Sequence, residues 1–407
     1  MNSGAELLEP RDLKSINCKK ITVVIVISNL EYGGAQRQVV ELANNIDTDH
    51  FNLHICSLSA YIPLAESLKE KKKLHVVNKT FKFDVSVVFR LAKLLKELNT
   101  DIVHGYLFDA EIAARLAGRI AGIRAIGNSE RNTNYHLKIR QLLTYRLTRN
   151  CVDFCIANSH AGAKFNQAAL KNPKESYYTI HNGVDTTRFY FRESEPLRKS
   201  LGLHFGHFVV GMFGSFKEQK NHPLLFNAMK RVLDQNKNCR ILLVGDQLAG
   251  GMHGSDYYKK SIIDLTAQLD LEPYCVYAGN RDDVEELYTV CDVTALPSLY
   301  EGTPNVALES MASCVPVIAT DVSDNAYIIR DGETGFVVPI NDPELFADRL
   351  LLLAENPTRC KQMGHLARSW MEKEFSCSSL AQKTQSVYSD FMGQTVNLAS
   401  RLKSFQD

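Results

Sequence analysis

The sequence predicts an α/β protein made of two doubly wound, mostly parallel sheets of similar size, facing each other across a cleft. Three observations lead there. Apolar, β-branched runs alternate with helix-period segments along the chain, the pattern of repeated β-α-β units. The alternation starts afresh near Phe208, with "FVVGMFGSF" leading into a helical stretch. The length, 407 residues, suits two domains of about 100–200 residues each. Ligands of open α/β sheets bind at the carboxyl ends of the strands, so two such domains would hold theirs in the cleft.

Taken in order, "ITVVIVISNL" from Ile21 is a continuous apolar run of the kind buried on both faces of a parallel sheet. The glycine pair in "EYGGAQRQVVELANNI" leads from it into a helix carrying Val39, Val40, Leu42, Ala43 and Ile46. "FNLHICSLS" reads as a strand, "IPLAESLKEKK" as a helix, "LHVVNK" as a short strand and "SVVFRLAKLLKEL" as a helix. "DIVHGYL" is a strand, "AEIAARLAGRIAG" a helix ending at Gly122, and "IRAIGNS" a strand. "YHLKIRQLLTYRLTRN" is a basic helix, and "VDFCIANS" and "YYTIHNG" are strands.

The second unit runs "FVVGMFGSF" (strand), "HPLLFNAMKRVLDQ" (helix), "CRILLVGDQ" (strand), "YYKKSIIDLTAQL" (helix) and "CVYAGN" (strand). "DVEELYTV" (helix), "VTALPS" (strand), "NVALESMAS" (helix), "PVIAT" (strand) and "ELFADRLLLLAENP" (helix) follow. "SLAQKTQSVYSDFMG" is a final helix. Residues 1–18 read as a flexible lead-in, 19–185 as the first domain and 186–375 as the second. Residues 376–407 read as a helix returning to the first domain. The link falls in Asn182–Pro196.

Composition narrows the function classes. A hydrophobic share of 45% and a charged share of 23% are those of a soluble globular protein. The net charge of +1 points to no polyanionic partner by itself. Yet residues 1–185 carry 25 Lys and Arg against 18 Asp and Glu, and the remainder carries 22 against 28. That asymmetry suggests that the first half faces something anionic, nucleic acid or lipid. The ten cysteines show no paired or zinc-type spacing and read as reduced thiols of a cytoplasmic protein. The seven-residue run "ITVVIVI" is far short of the roughly 20 residues that span a membrane.

Three loops are candidates for chemistry. Gly33 and Gly34, between the first strand and first helix, would let a ligand approach the backbone at a helix N-terminus; a tight turn without a ligand explains them equally well. Gly214 closes the strand that opens the second unit, followed by Ser215, Lys217 and Lys220. A lysine there can neutralise a phosphate, although a solvated surface charge is the commoner role. In "SLYEGTPNVALESMA", Pro304 and Asn305 begin a helix with Thr303 as its expected N-cap. The amides of Gly302–Val306 would then form an anion cradle. Glu301 falls in the loop and Glu309 inside an otherwise apolar helix, both better suited to sugar hydroxyls than to phosphate.

The stretch Arg131–Arg149 carries five basic residues and no acid, interleaved with leucines. It reads equally as a helix lying on an anionic bilayer or as a core-packed helix with a solvated basic face. No nucleic-acid-binding motif accompanies it.

"EGTPNVALESMASCVPVIATD" with "IIRDGETGFVVP" resembles the C-terminal signature of glycosyltransferase family 4. "EYGGAQRQVVELA", "HNGVDTTRF", "GSFKEQKNHPLL", "LLVGDQ" and "CDVTALPSLYEG" resemble its other motifs, in the same order and over nearly the whole chain. The resemblance implies the GT-B fold and retention of anomeric configuration without a cofactor or metal. It implies Glu301 near the donor sugar, Glu309 on the ribose hydroxyls and Lys220 on the developing diphosphate charge. The amides of Gly302, Thr303, Asn305 and Val306, with Pro304 between them, would meet the sugar and diphosphate. Gly33 and Gly34 would close over the donor, and the loops after Gly245 and Gly279 would flank the base.

The chain departs from the family's pattern at two places. Ser215 stands where many members carry an arginine, so Lys217 is the expected source of the missing charge. Where many members carry a histidine after the fifth strand, the sequence reads "GNSERNTNYH"; His136 fits the position poorly, and Arg131 is taken as the substitute. The expected activity is transfer of a hexosyl or N-acetylhexosaminyl group from a nucleotide-diphosphate sugar, UDP-linked in preference to GDP-linked, to a glycan or lipid-linked acceptor. The expected location is the cytoplasm or its membrane face, without nucleic acid as a partner. A sugar-nucleotide epimerase of similar fold and a non-catalytic sugar-nucleotide-binding scaffold are the alternatives.

Overall fold

The computed structural model describes residues 19–81, 84–131, 137–172, 176–193, 195–247 and 255–393; the lead-in 1–18 and His136 lie outside them. The first half contains β1 (Ile21–Ile27), α1 (Gly34–Asn45), β2 (Phe51–Ser57), β3 (Leu74–Val76), α2 (Ser86–Glu97) and β4 (Ile102–Tyr106). It continues with α3 (Phe108–Ala121), β5 (Ala125–Glu130), α4 (Ile139–Thr148), β6 (Phe154–Ala157), α5 (His160–Leu170) and β7 (Ser176–Thr179). The second half contains α6 (Glu195–Ser200), β8 (Phe208–Phe213), α7 (His222–Gln235), β9 (Cys239–Val244), α8 (Ser255–Gln268) and β10 (Cys275–Gly279). Then come α9 (Val284–Val290), β11 (Val293–Leu296), α10 (Asn305–Ala312), β12 (Val317–Thr320), α11 (Asn325–Ile328) and β13 (Gly335–Val338). Helices α12 (Pro343–Glu355), α13 (Pro357–Glu374) and α14 (Cys377–Met392) complete the chain.

The strands form two sheets, ordered β3-β2-β1-β4-β5-β6-β7 and β10-β9-β8-β11-β12-β13. Every strand pairing in both is parallel, which is the doubly wound arrangement the apolar runs predict. In β1, Val23, Ile25 and Ile27 enter one core, and Val24 and Val26 enter the core on the opposite face. Strand geometry turns successive side chains to opposite faces, so only a run apolar at every position suits a sheet covered on both sides. Each such side chain contributes roughly 1.5–3 kcal/mol through burial.

Strand order reverses between β1 and β4 and between β8 and β11, and a crevice opens where two connections leave a sheet in opposite directions. β8 pairs with β9 along all six residues, but with β11 only at Val210 and Gly211. The two chains therefore part before their carboxyl ends, and the loops that follow them line the opening.

Several readings change. "IPLAESLKEKK" forms two short 3-10 turns, Pro63–Ser67 and Lys71–Lys73; Leu64 and Leu68 reach the core from them, so no longer helix is needed. Helices α5, α6, α11 and α13 and strand β13 lie in segments given no element above. Ser159 marks the start of α5, its side chain accepting from the Gly162 amide at 3.0 Å. Helix α14 places Leu380, Ala381, Val387, Tyr388 and Met392 in the core of the first sheet. Among the described residues no helix is long and apolar enough to cross a membrane, and their nine cysteines are free.

The halves are tied at the link. Gln38 of α1 accepts from the Gly183 amide at 2.7 Å and donates to the Gly183 carbonyl at 2.9 Å. Val184 bridges to Ser376, where the chain returns to the first domain.

Candidate active site

Lys220 and Glu301 lie on the two loops that flank the β8/β11 crevice. Lys220 Nζ donates to Glu301 Oε1 at 2.6 Å, and the Ser298 hydroxyl donates to the same oxygen at 2.7 Å. Glu301 is only 5% exposed, so the pair is shielded from water and from salt screening. The approach requires glycine. Gly214 has φ +142, and a Cβ on it would stand 3.2 Å from Lys220 Cε; a Cβ on Gly245 would fall 2.2 Å from the Gly214 carbonyl oxygen. Ser215 follows Gly214 at the same lip. Lys217 is half-buried, and burial with neighbouring Lys220 lowers its pKa. Among the described residues its ammonium has no hydrogen-bond partner, so it stands near the pair without joining it.

Helix α10 begins at Asn305, with Pro304 in the N-cap position and no side-chain cap. This corrects the assignment of Thr303 as cap. Its hydroxyl donates instead to the Asn158 carbonyl of the first domain. Gly302 packs as closely, since a Cβ there would meet the Asn158 side-chain nitrogen at 2.9 Å. Among the described residues, the amides of Gly302, Thr303, Asn305 and Val306 have no acceptor. They stand at the positive end of a helix with no acidic residue in its first turn, which favours an anion.

Glu309 lies a turn further on and is 9% exposed. Its Oε1 accepts from Arg37 Nη1 at 3.1 Å and its Oε2 from the Tyr288 hydroxyl at 2.9 Å. Burial raises its pKa, opposed by Arg37 and Tyr288; burial and Glu309 together push the Tyr288 hydroxyl well above its usual range. A carboxylate offers about four lone-pair sites, so two donors leave capacity for a pair of hydroxyls.

The first domain supplies the opposite wall. Gly33 is the N-cap of α1, and a Cβ on Gly34 would stand 3.4 Å from Asn305 Nδ2, so the glycine loop faces the start of α10. Arg131 reaches the site indirectly. Its Nη1 donates to Asn182 Oδ1 at 2.7 Å, and Asn182 Nδ2 donates to Asn305 Oδ1 at 2.7 Å. The guanidinium lies 5.1 Å from the Tyr106 ring centre, and its buried Nε has no partner among the described residues. The loops after Gly245 and Gly279 adjoin, Gly245 N donating to the Gly279 carbonyl at 2.8 Å.

Arg37, Asn158, Asn182, Tyr288 and Ser298 are site neighbours that sequence reasoning missed. Arg37 and Asn182 fall inside the quoted "EYGGAQRQ" and "HNGVD" but carried no spacing signal. A further contact crosses the domains beside them: His160, at the start of α5, and His181, just before the link, both meet Asp324 Oδ2 at 2.7 Å.

Two facing parallel-sheet domains, with a glycine–lysine loop and an uncapped helix start at a shared cleft, define the class as GT-B glycosyltransferase. The family described as Glycosyltransferase Family 4 matches residues 32–188, and that described as Glycosyl transferases group 1 matches residues 193–370. The chain belongs to glycosyltransferase family 4, and the resemblance read from its motifs holds. It is 24% identical over 380 residues to the UDP-Gal:alpha-D-GlcNAc-diphosphoundecaprenol alpha-1,3-galactosyltransferase of Escherichia coli, covering 88% of this chain and 94% of that one. It is 24% identical over 322 residues to the N-acetyl-alpha-D-glucosaminyl L-malate synthase of Bacillus anthracis, covering 77% and 81%. Among solved structures, Anabaena HepE in complex with UDP superposes with a TM-score of 0.79 at 20% identity, covering 91% of this chain and all of that one.

Proposed function

We propose that the chain transfers a hexosyl or N-acetylhexosaminyl group from a UDP-sugar to a lipid-linked or glycan acceptor in cell-surface polysaccharide or glycolipid assembly, with retention and without a metal at the diphosphate. The observation that carries this reading is the row of acceptor-free amides from Gly302 to Val306, set beside Lys220. Breaking the anomeric bond leaves negative charge on the diphosphate, and amides with an ammonium at a helix start stabilise that charge without reorganising. Glu301, joined to Lys220 and with its Oε2 accepting from Gln219 Nε2 at 3.5 Å, holds the ammonium at the crevice beside the sugar. In a front-face displacement the leaving phosphate oxygen accepts the acceptor's proton as the new bond forms, so configuration is kept. Glu309 takes the ribose hydroxyls. Arg131, through Asn182, positions the start of α10.

The relatives' names support UDP as the nucleotide, and one supports a lipid diphosphate as acceptor. The surface of α4 adds to that. Ile139, Leu143 and Leu147 are 77%, 54% and 85% exposed at a spacing of four, and so share a helix face. Exposed Lys138, Arg140 and Arg146 flank them. Of the two readings left open by the sequence, this favours a helix lying on an anionic bilayer.

The test is a donor screen that reads UDP release with and without polyprenyl-diphosphate sugar in anionic vesicles. Acceptor-dependent release from one UDP-sugar is expected, with flotation on the vesicles weakening as salt rises. Mg2+ or Mn2+ added to chelator-treated protein should leave UDP affinity unchanged. Conversion of donor alone would point to the epimerase reading, and UDP binding with no turnover on any acceptor to the scaffold.

A further inference from the structure

His160, His181 and Asp324 come from the start of α5, from the residue before the link and from the loop after β12. Their ligand-type atoms all lie within 4.8 Å of one another. The proposed transfer step uses none of them. Two imidazoles of the first domain and one carboxylate of the second converge on a single point, and the surroundings hold them there. The amides of His160 and Ala161 donate to the two oxygens of Asp324 at 2.7 and 3.3 Å and so fix the carboxylate. The Tyr327 ring stacks on His181 at 4.8 Å and 11°, and Phe375 meets the other side edge-on at 5.6 Å. The His181 and Asp324 side chains are 9% and 4% exposed, whereas that of His160 is 50% exposed, which leaves a way in from solvent.

We propose that these three side chains bind one divalent ion of the zinc class, through His160 Nδ1, His181 Nε2 and the Asp324 carboxylate, with a fourth position open to water. Imidazole and carboxylate together suit zinc, cobalt or nickel, whereas magnesium and calcium prefer oxygen-only shells. Ligand atoms about 2.0–2.2 Å from a tetrahedral ion stand about 3.3 Å apart. The two 2.7 Å contacts therefore open slightly and the histidines draw together. Each neutral ring then carries its proton on its other nitrogen. The amides on Asp324 and the ring on His181 act as the outer support that such sites need. Because His160 and Asp324 belong to different domains, the ion ties the halves together beside the link. Its three ligands are none of the residues assigned to the diphosphate or to the transfer step.

Titration of untagged, nucleotide-free full chain with Co2+, followed in the visible, tests this. Expected are the absorption bands of a four-coordinate site saturating at about one ion per chain, and their loss when Zn2+ is added. His160→Gln, at a half-exposed position, should leave the circular dichroism spectrum unchanged. Loss of a supporting contact alone weakens a metal site by about 10–100-fold, so His160→Gln and Asp324→Asn should each weaken binding at least that much. Absence of bands in the wild type, or wild-type binding in both variants, overturns the proposal.

Discussion

Glu301 and Glu309 are eight positions apart and both buried, yet they are held in opposite ways. Glu301 is tied within its own domain, by Lys220 and Ser298 on neighbouring loops of one sheet. Glu309 is tied across the cleft, to Arg37 on the first helix of the other domain, with Tyr288 behind it. The first arrangement persists whatever the domains do. The second exists only while they are together. On the roles proposed above, the Lys220–Glu301 pair is preformed within one domain, whereas the ribose-binding end depends on closure.

Separate tests can break that comparison. The largest effect should follow Glu301→Ala, which releases Lys220 from its place. Turnover should fall about 10²–10³-fold, as for the loss of one positioned electrostatic group, while donor KM stays near wild type in steady-state UDP release. A rise in KM with normal kcat would reverse the roles of the two acids. Next is Glu309→Ala. Loss of hydrogen bonds to a charged group costs about 1.5–3 kcal/mol, so UDP should bind about 10–100-fold more weakly by calorimetry, with kcat little changed. The smallest effect belongs to Arg37→Ala. The Arg37 side chain is 38% exposed, and a pair so open to solvent contributes about 1 kcal/mol or less. The expected outcome is a larger radius of gyration for nucleotide-free protein by small-angle scattering. An unchanged radius would show that this pair does not report on closure.

The fold was legible because burial on both faces of a parallel sheet leaves a mark on every residue of a strand, as in β1. The placement of the candidate residues in the second domain was legible for a related reason. Gly214, Lys220 and Glu301 sit on loops leaving adjacent strands, and Glu309 on the helix that follows at once, so short motifs carry their geometry. The first-domain side was not. Arg37 meets Glu309 across 272 positions, and His160 meets Asp324 across 164, distances over which no periodicity or spacing operates. Thr303 was misread because a hydroxyl before a helix usually caps it; here the other domain offers the closer acceptor.

Helix α14 has a consequence for how the molecule is made. Tyr388 is fully buried in the first domain, its hydroxyl 2.8 Å from His104 Nδ1, together with four apolar neighbours on the same helix. The first domain to leave the ribosome is therefore the last to be completed. At about 5–20 residues per second, its core waits on the order of ten to forty seconds for its final helix while the whole second domain is synthesised. During that interval the groove that α14 will fill is an open apolar surface, and a nascent-chain chaperone that binds such surfaces has its longest opportunity there.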